Sequence, residues 1–441
     1  MGFFDIPDLG SPLFDSPLHL SKVKGDKLFD YVRNSDRVKF NIFTANDPSQ
    51  DDCVDPQYTN EDLEIAGPRE KIFFDPGKCT CAIVTCGGLC PGLNNVIRSI
   101  VFELFYHYKI TNILGIRYGF AGLNPAKGHE PVQLTPAYVD YIHDLGGSVL
   151  GSSRGAPDVA VMVDELERLG VDILFSVGGD GTQRGNYDIY KEITRRGKKI
   201  AVVGIPKTID NDIHLIEKSF GFETAVTKAT EAIRCAHMEA RGAYNGVGLV
   251  KLMGRDSGYI AAYASVAINE VNFVLIPEVP FDLYGDNGFL ETLRKRLEAR
   301  HHAVIVVSEG AGQQYFKDYV EYDSSGNKLH GDIGILLNSE IKKYMKDKGV
   351  EVSVKYFDPS YIIRSVPATA GDSVFCNSLA RNAVHAGMAG KTGLLIGWRK
   401  TVFVHIPLDK VVNIRKMINP EGGFWFSVLE ATGQPNSMTN Q

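Results

Sequence analysis

From Ala82 onward, short apolar runs recur along this chain, each followed by a turn and a longer segment of mixed polarity. The runs at Ala82 to Cys86, Ile113 to Tyr118, Ile173 to Val177, Ile200 to Ile205, Asn245 to Leu252, Phe273 to Ile276, Ala303 to Val307 and Gly393 to Trp398 predict strands. The segments at Leu93 to Tyr106, Thr182 to Arg196, Glu223 to Glu239, Gly288 to Arg300, Gly334 to Lys346 and Ala370 to Ala389 predict helices. Strand and helix alternate, which predicts an α/β fold.

The clearest unit runs from Asp172 to Asp212. It reads as strand, glycine turn, polar helix with Gly197 at its end, and second strand. A right-handed crossover makes the two strands parallel, so both of their carboxyl ends open on one sheet edge, where ligands of such sheets bind. One loop there is Gly178-Gly179-Asp180-Gly181-Thr182 and the other is Pro206-Lys207-Thr208-Ile209-Asp210-Asn211-Asp212. Glycines let backbone amides approach a phosphate, and the positive end of the following helix aims at the same place. Asp180 is a hard oxygen ligand suited to Mg²⁺ on a phosphate. Asp210 suits a general base and Lys207 suits the charge of a moving phosphoryl group. The plain alternative for each loop is an ordinary turn, in which Asx residues bond their own backbone.

Composition narrows the class without changing this picture. The chain has 441 residues, 44% hydrophobic and 23% charged, with formal net charge −6. That is ample for two or three domains, and the mild acidity argues against nucleic acid as a partner. No apolar run approaches a membrane span, and the first residues lack the basic and apolar regions of a signal peptide. Met1-Gly2 begins like a myristoylation site, but Ile6 stands where Ser or Thr is needed. Seven cysteines, an odd number, favour reduced thiols and a cytoplasmic setting. Cys79, Cys81, Cys86 and Cys90 cluster with spacings that fit zinc poorly, so they read as buried strand and turn residues. Residues 1–70 are rich in Pro, Asp and Ser and read as an extension packed on the core or as oligomer contacts. A helix is predicted over Ser21 to Asn34 and a solvated loop over the acidic run Asp47 to Asp55. The tail from about Glu421 gives no signal.

Further loops carry chemistry. Gly87 to Gly92 has the glycine spacing of a P-loop, but Leu93-Asn94 replaces its Lys-Ser/Thr, and the Rossmann glycine fingerprint is absent. Gly151 to Gly155 is a small-residue loop carrying Arg154; a lone loop arginine is by default a solvated one. Asp256-Ser257-Gly258 can cap the apolar helix that follows them.

The sequences GGDGT at Gly178 to Thr182 and PKTIDND at Pro206 to Asp212, one crossover helix apart, resemble the two signature loops of 6-phosphofructokinases. GGDGT alone is shared with other kinases; PKTIDND is the specific part. The resemblance covers roughly Gly67 to the end and is closest to the long-chain branch of plant and trypanosome ATP-dependent enzymes and their pyrophosphate-dependent relatives. It implies two Rossmann-like three-layer α/β domains with largely parallel sheets and an active site in the cleft between them. Residues 71–221 with about 363–415 would bind nucleotide, residues 222–362 with the C-terminal tail would bind sugar phosphate, and 1–70 would be an extension. It implies transfer of the ATP γ-phosphoryl group, with Mg²⁺ held at Asp180, to the 1-hydroxyl of fructose 6-phosphate. The enzyme would be glycolytic, allosterically controlled and cytoplasmic, a homo-oligomer (dimer or tetramer) acting away from membranes.

By resemblance, Gly87, Ser153, Arg154, Gly179, Asp180, Gly181 and Thr182 bind the nucleotide. Thr208, Asp210, Met253, Gly254, Arg255, Glu309, Lys355, Tyr361 and Arg364 bind the sugar phosphate. Asp210 is the base, with Lys207, Thr208 and Arg255 as the other catalytic residues. Lys355 stands where many bacterial relatives have arginine. Near Gly246 the bacterial tetramers place a further phosphate-binding arginine that this chain lacks, which puts a subunit-shared site of that kind in doubt. Pyrophosphate users of the branch carry Asp at the position of Gly181 together with a lysine like Lys207. Gly181 leaves room for the ATP α-phosphate that a carboxylate would take, so ATP is the expected donor. The rivals are a pyrophosphate-dependent phosphofructokinase and a catalytically silent sensor or regulatory subunit.

Overall fold

The computed structural model describes residues 2–26, 29–41, 58, 60–316, 329–412 and 414–440. Two sheets dominate. The larger has nine strands in the order Arg37–Lys39, Asp62–Ile65, Val402–Pro407, Leu394–Arg399, Ala201–Pro206, Ile173–Gly178, Thr80–Thr85, Asn112–Ile116 and Val132–Gln133. Its middle strands, from Leu394–Arg399 to Asn112–Ile116, are parallel, and antiparallel strands flank them on both sides. The second sheet, Phe273–Leu275, His302–Ser308, Gly246–Leu252 and Ser353–Phe357, is wholly parallel. Every residue of Thr80–Thr85, Ile173–Gly178 and Ala201–Pro206 is buried. Helices cover both faces of such strands, so they read as unbroken apolar runs with no polar alternation.

Crossover helices lie close to where the sequence predicts them. Asp180–Arg195, Phe222–Arg241, Phe289–Arg300, Ile333–Asp347 and Ala370–Met388 each differ from expectation by a residue or two at an end. Leu93–Phe102 is shorter, because the chain widens into a π turn at Glu103–His107. The buried Glu103 of that turn lies 3.3 Å from Arg381. Helix Phe222–Arg241 rests directly on the second sheet. A Cβ at Gly246 would sit 2.0 Å from the Ala240 carbonyl, and one at Gly248 2.5 Å from that of Ala236. These two glycines are what let helix and strand approach so closely.

Two expectations fail here, and one silent segment gains structure. No helix forms among the described residues of Ser21 to Asn34. Gly25 is left-handed at φ 82°, and the Asp26 and Asp30 carboxylates accept from Ser21 Oγ and the Gly25 N–H. Such local side-chain bonds compete with helix formation. Asp256 and Ser257 do not cap helix Tyr259–Ile268. The Gly258 N–H at its start donates instead to the Glu278 carboxylate at 3.0 and 3.1 Å. The tail, unreadable in sequence, contains helix Gly423–Thr432. The acidic run Asp47 to Asp55 lies outside the described residues.

The first 70 residues contribute strands Arg37–Lys39 and Asp62–Ile65 to the large sheet. They also carry Glu64 inside, where it meets Arg69 at 2.8 Å, Lys391 at 3.2 Å and His405 at 3.1 Å. Burial alone would raise its carboxyl, but the His405 hydrogen bond and the Lys391 and Arg69 charges hold it well below the usual range.

Candidate active site

Strand register brings the loops together. Gly178 pairs with Pro206, so the GGDGT and PKTIDND segments leave adjacent strands side by side. Their backbones join through Lys207 N–H to the Gly178 carbonyl at 3.0 Å. Cys86 N–H donates to Val177 O at 2.9 Å, and Gly87 N–H to Ser153 O at 3.1 Å. Four loops of the large sheet are thus stitched along one edge. In the second sheet Leu252 pairs with Ser308 and Val250 with Phe357. The Met253-Gly254-Arg255 turn, Glu309 and the Asp358-to-Arg364 segment therefore leave that sheet on one edge as well.

The two edges meet at Asp210. Its carbonyl accepts from Ser257 Oγ at 3.2 Å, and its carboxylate accepts from the Arg255 N–H. The other carboxylate oxygen, Oδ1, is buried with no hydrogen-bond partner. Burial first, and then the Asp212 and Glu309 charges, push this carboxyl well above its ordinary pKa. A basic carboxylate with one buried oxygen left unpartnered is equipped to receive a proton.

Lys207 lies beside it, buried, with Nζ donating to Gly88 O at 2.6 Å. Desolvation lowers its pKa. A Cβ at Gly87 would come within 3.2 Å of this ammonium, so the Gly87-Gly88 turn is folded directly over it. Thr208 Oγ1 donates to Asp212 at 2.6 Å and accepts from Asp210 N–H at 3.2 Å, which fixes the loop around the base. Ser153 Oγ is buried without a partner in the same region, and Arg154 is exposed beyond it.

Gly179 is the N-cap of helix Asp180–Arg195, and Thr182 N–H returns to the Gly179 carbonyl at 2.9 Å. Beneath the turn, Gln183 Nε2 donates to Gly178 O at 2.8 Å and to Ile205 O at 3.4 Å. A Cβ at Gly181 would meet nothing within 4 Å, so this position faces open space. Asp180 keeps some exposure and pairs with Arg184 at 3.2 Å. Among the described residues no three His, Cys, Asp or Glu side chains converge. The donor set at Asp180 therefore fits a Mg²⁺ that takes one carboxylate and completes its shell with phosphate oxygens and water.

On the edge of the second sheet, Gly254 has φ 124°, and a Cβ there would lie 2.4 Å from both Ser257 O and Ser308 Oγ. Its carbonyl accepts from Ser308 Oγ at 2.6 Å and from Gly310 N–H at 3.0 Å. Met253, Arg255 and Glu309 are thereby held by a single knot. Burial raises the Glu309 pKa, against the Lys251, Arg255 and Arg364 charges.

Arg364 packs its guanidinium 4.6 Å from the centroid of the Tyr361 ring, and its Nε is buried and unpartnered. A Cβ on Gly88 would lie 3.8 Å from Arg364 Nη1, so this arginine faces the loop of the other sheet. Tyr361 itself is 74% exposed. Lys355 does not join the cluster. It is exposed on the edge strand Ser353–Phe357, on the opposite face from Tyr356.

Sequence reasoning missed three neighbours. Lys251 bridges Asp332 at 2.7 Å and Asp358 at 2.9 Å close to Glu309. Asp256 turns away from helix capping and pairs with Arg415, which also lies 3.9 Å from Asp212. The adjacency of Lys251 and Asp256 to the Met253-Arg255 turn was the available signal; Arg415 offered none. The four clustered cysteines are all buried, with Cys79 and Cys81 sulfurs 3.8 Å apart.

Known proteins resemble this chain along most of its length. A profile of the phosphofructokinase family matches residues 80–387. An ATP-dependent 6-phosphofructokinase of Borreliella burgdorferi is 49% identical, over 99% of this chain and 98% of its own. One from Trypanosoma brucei brucei is 44% identical, over 91% of this chain and 82% of its own. The chloroplastic ATP-dependent 6-phosphofructokinase 5 of Arabidopsis thaliana is 45% identical, over 92% of this chain and 76% of its own. Among solved structures, a pyrophosphate-dependent phosphofructokinase from Marinobacter aquaeolei superposes with a TM-score of 0.66, covering 80% of this chain and 91% of that one at 19% identity. The family model over residues 80–387 and a relative matched along nearly its whole length show that this chain belongs to the phosphofructokinase family.

Proposed function

We propose that this chain transfers the γ-phosphoryl group of MgATP to the 1-hydroxyl of fructose 6-phosphate, giving fructose 1,6-bisphosphate and ADP. The observation that carries the reading is Asp210, half-buried, with one buried carboxylate oxygen unpartnered where the two sheet edges meet. The 1-hydroxyl proton passes to Asp210 as its oxygen bonds to the γ-phosphorus, and the bond from that phosphorus to the β–γ bridging oxygen breaks. The base supplies about 10²–10⁴-fold of the rate, and positioning with charge stabilisation supplies the rest. Lys207 and Arg255 face the charge on the transferring group, while Thr208 holds the loop. Asp180 would hold Mg²⁺, which when bound neutralises phosphate charge.

Gly87, Ser153, Arg154 and Gly179 to Thr182 line the nucleotide side. Met253, Gly254, Arg255, Glu309, Tyr361 and Arg364 line the sugar-phosphate side. Lys355 would reach the phosphate by turning its long stem from the exposed edge. In this reading residues 71–221 with 363–415 form the nucleotide unit, 222–362 with the tail form the sugar-phosphate unit, and 1–70 are an extension. A cytoplasmic homo-oligomer, dimer or tetramer, belongs to the same reading; the six described cysteines are free thiols.

The open space at Gly181 supports ATP as donor, because an α-phosphate needs room and no opposing carboxylate. Lys207 is the feature that favours pyrophosphate as a second reading. Initial rates on fructose 6-phosphate with Mg²⁺ separate them. Turnover with ATP and not with pyrophosphate is expected; the reverse would give Lys207 the decisive weight. Silence with both donors, while sugar phosphate still binds, would make the chain a sensor or regulatory subunit.

A further inference from the structure

Residues 414–418 run between the two halves of the site and are tied to both. On the nucleotide side Lys416 N–H donates to Asp212 O at 2.9 Å, and its ammonium donates to Ile216 O and Glu217 O at 3.1 Å. Arg415 also forms an antiparallel bridge with Ile213. On the sugar side Tyr259 Oη donates to Met417 O at 3.0 Å, and Ile418 N–H donates to Glu278 Oε1 at 3.0 Å. That same Glu278 carboxylate caps helix Tyr259–Ile268. The backbone that presents Arg415 is therefore located from two directions.

Its guanidinium pairs with Asp256 and lies 3.9 Å from Asp212. Each of these carboxylates is linked to a residue of the transfer chemistry. Asp212 accepts from Thr208 Oγ1, which accepts from the Asp210 N–H. Asp256 lies 3.7 Å from Arg255 Nε, and the Arg255 N–H donates to the Asp210 carboxylate. Without Arg415, two anions would stand beside a third, and Asp256 would be free to draw the Arg255 guanidinium onto itself.

We propose that Arg415 is a positioning residue of this site, bridging Asp212 of the base-bearing loop to Asp256 of the Met253-to-Ser257 turn so that Asp210 and Arg255 face the reacting groups. It touches no reacting atom and acts through its two carboxylates. The role rests on the transfer reaction proposed above. A second consequence concerns pH. Asp210 is faced by the carboxylates of Asp212 and Glu309, by the Lys207 ammonium, by the Cys90 thiol and by Arg415. Arg415, like the Lys207 ammonium, favours the ionised base, so its removal moves the acidic limb of activity to higher pH.

The experiment compares the full-length chain with Arg415→Ala and Arg415→Lys by two readouts. Amide hydrogen exchange needs no turnover. Peptides covering 207–212 and 253–257 should exchange at least about tenfold faster in Arg415→Ala, with the sheets unchanged and exchange largely restored in Arg415→Lys. In the kinetic arm, with ATP, Mg²⁺ and fructose 6-phosphate, Arg415→Ala should lose at least about tenfold in kcat with KM changed less than about threefold. Its acidic limb should shift upward, and Arg415→Lys should recover most of the rate. Unchanged exchange in both segments overturns the proposal whatever the rates. Faster exchange with kcat and pH profile unmoved overturns it too, since the bridge would then be structural alone. A wild-type chain that turns over neither donor defeats the proposed reaction, and the exchange readout still decides whether Arg415 orders the two loops.

Discussion

At the scale of the residue, the site is defined by what a side chain lacks. Asp210 has a buried carboxylate oxygen with no protein partner, although buried polar atoms are nearly always satisfied. At the meeting of two sheet edges such an oxygen is available to a group that binds there. Replacing Asp210 with Ser should lower kcat by at least about 10² while fructose 6-phosphate binds nearly as before, because the sugar's other contacts remain. A variant within about fivefold of the wild-type rate would take the base role from Asp210. The same residue shows how far sequence reaches. Asp210, Lys207 and Asp180 were legible because their types and spacing carry chemistry. Asp256 was legible only as a helix cap, and that reading was wrong, because Glu278 reaches the Gly258 N–H and leaves Asp256 to Arg415.

At the scale of the element, the two strands from the first 70 residues show how an edge addition becomes integral. Strand Asp62–Ile65 pairs with Val402–Pro407 and delivers Glu64 among Arg69, Lys391 and His405. A buried carboxylate with several partners is costly to remove, because the partners are left charged and unpaired. Glu64→Gln should destabilise the chain by about 3–5 kcal/mol in urea titration. A loss below about 1 kcal/mol would mean that water replaces the carboxylate. Sequence placed this segment against the core or at an oligomer contact but gave no strand in it. Both strands are short, and the strand that joins them to the sheet, Val402–Pro407, comes from the far end of the chain. The helix expected over Ser21 to Asn34 failed for a related reason: a left-handed Gly25 and two aspartates offered its backbone nearer partners.

At the scale of the whole molecule, buried titratable groups couple the packing to pH. His385 is enclosed under helix Leu93–Phe102, with Nδ1 at 2.8 Å from Tyr108 Oη. Burial raises the phenol's pKa, so Tyr108 donates and the imidazole accepts. Burial first, then the Arg381 and Arg69 charges, hold the His385 pKa down to about 3 from an ordinary 6.5. The sign follows from proton counts. Below about pH 6.5 the unfolded chain binds a proton at His385 and the folded chain does not, so acidification favours unfolding. The loss is at most about 1.4 kcal/mol per pH unit between about 6.5 and 3. The thermal midpoint should fall from pH 7 to pH 5, and His385→Phe should fall less steeply. Equal slopes would assign the acid sensitivity elsewhere; the depressed Glu64 carboxyl acts in the same direction only below about pH 4.5, where the unfolded chain takes up its proton.

The sequence by itself determined what is local and periodic. Apolar runs closed by turns became the strands, crossover segments became the helices, and the Gly178-to-Thr182 and Pro206-to-Asp212 loops emerged on adjacent strand ends because a parallel crossover leaves no other outcome. Tertiary structure alone decided the pairings that join distant segments. Arg415 meets Asp212 and Asp256, Glu278 caps a helix it does not precede, and Lys391 and His405 enclose Glu64. The physical reason is common to all of these. A charge finds its partner through space, and a lone charged residue in a loop leaves no periodicity by which the chain alone could announce that partner.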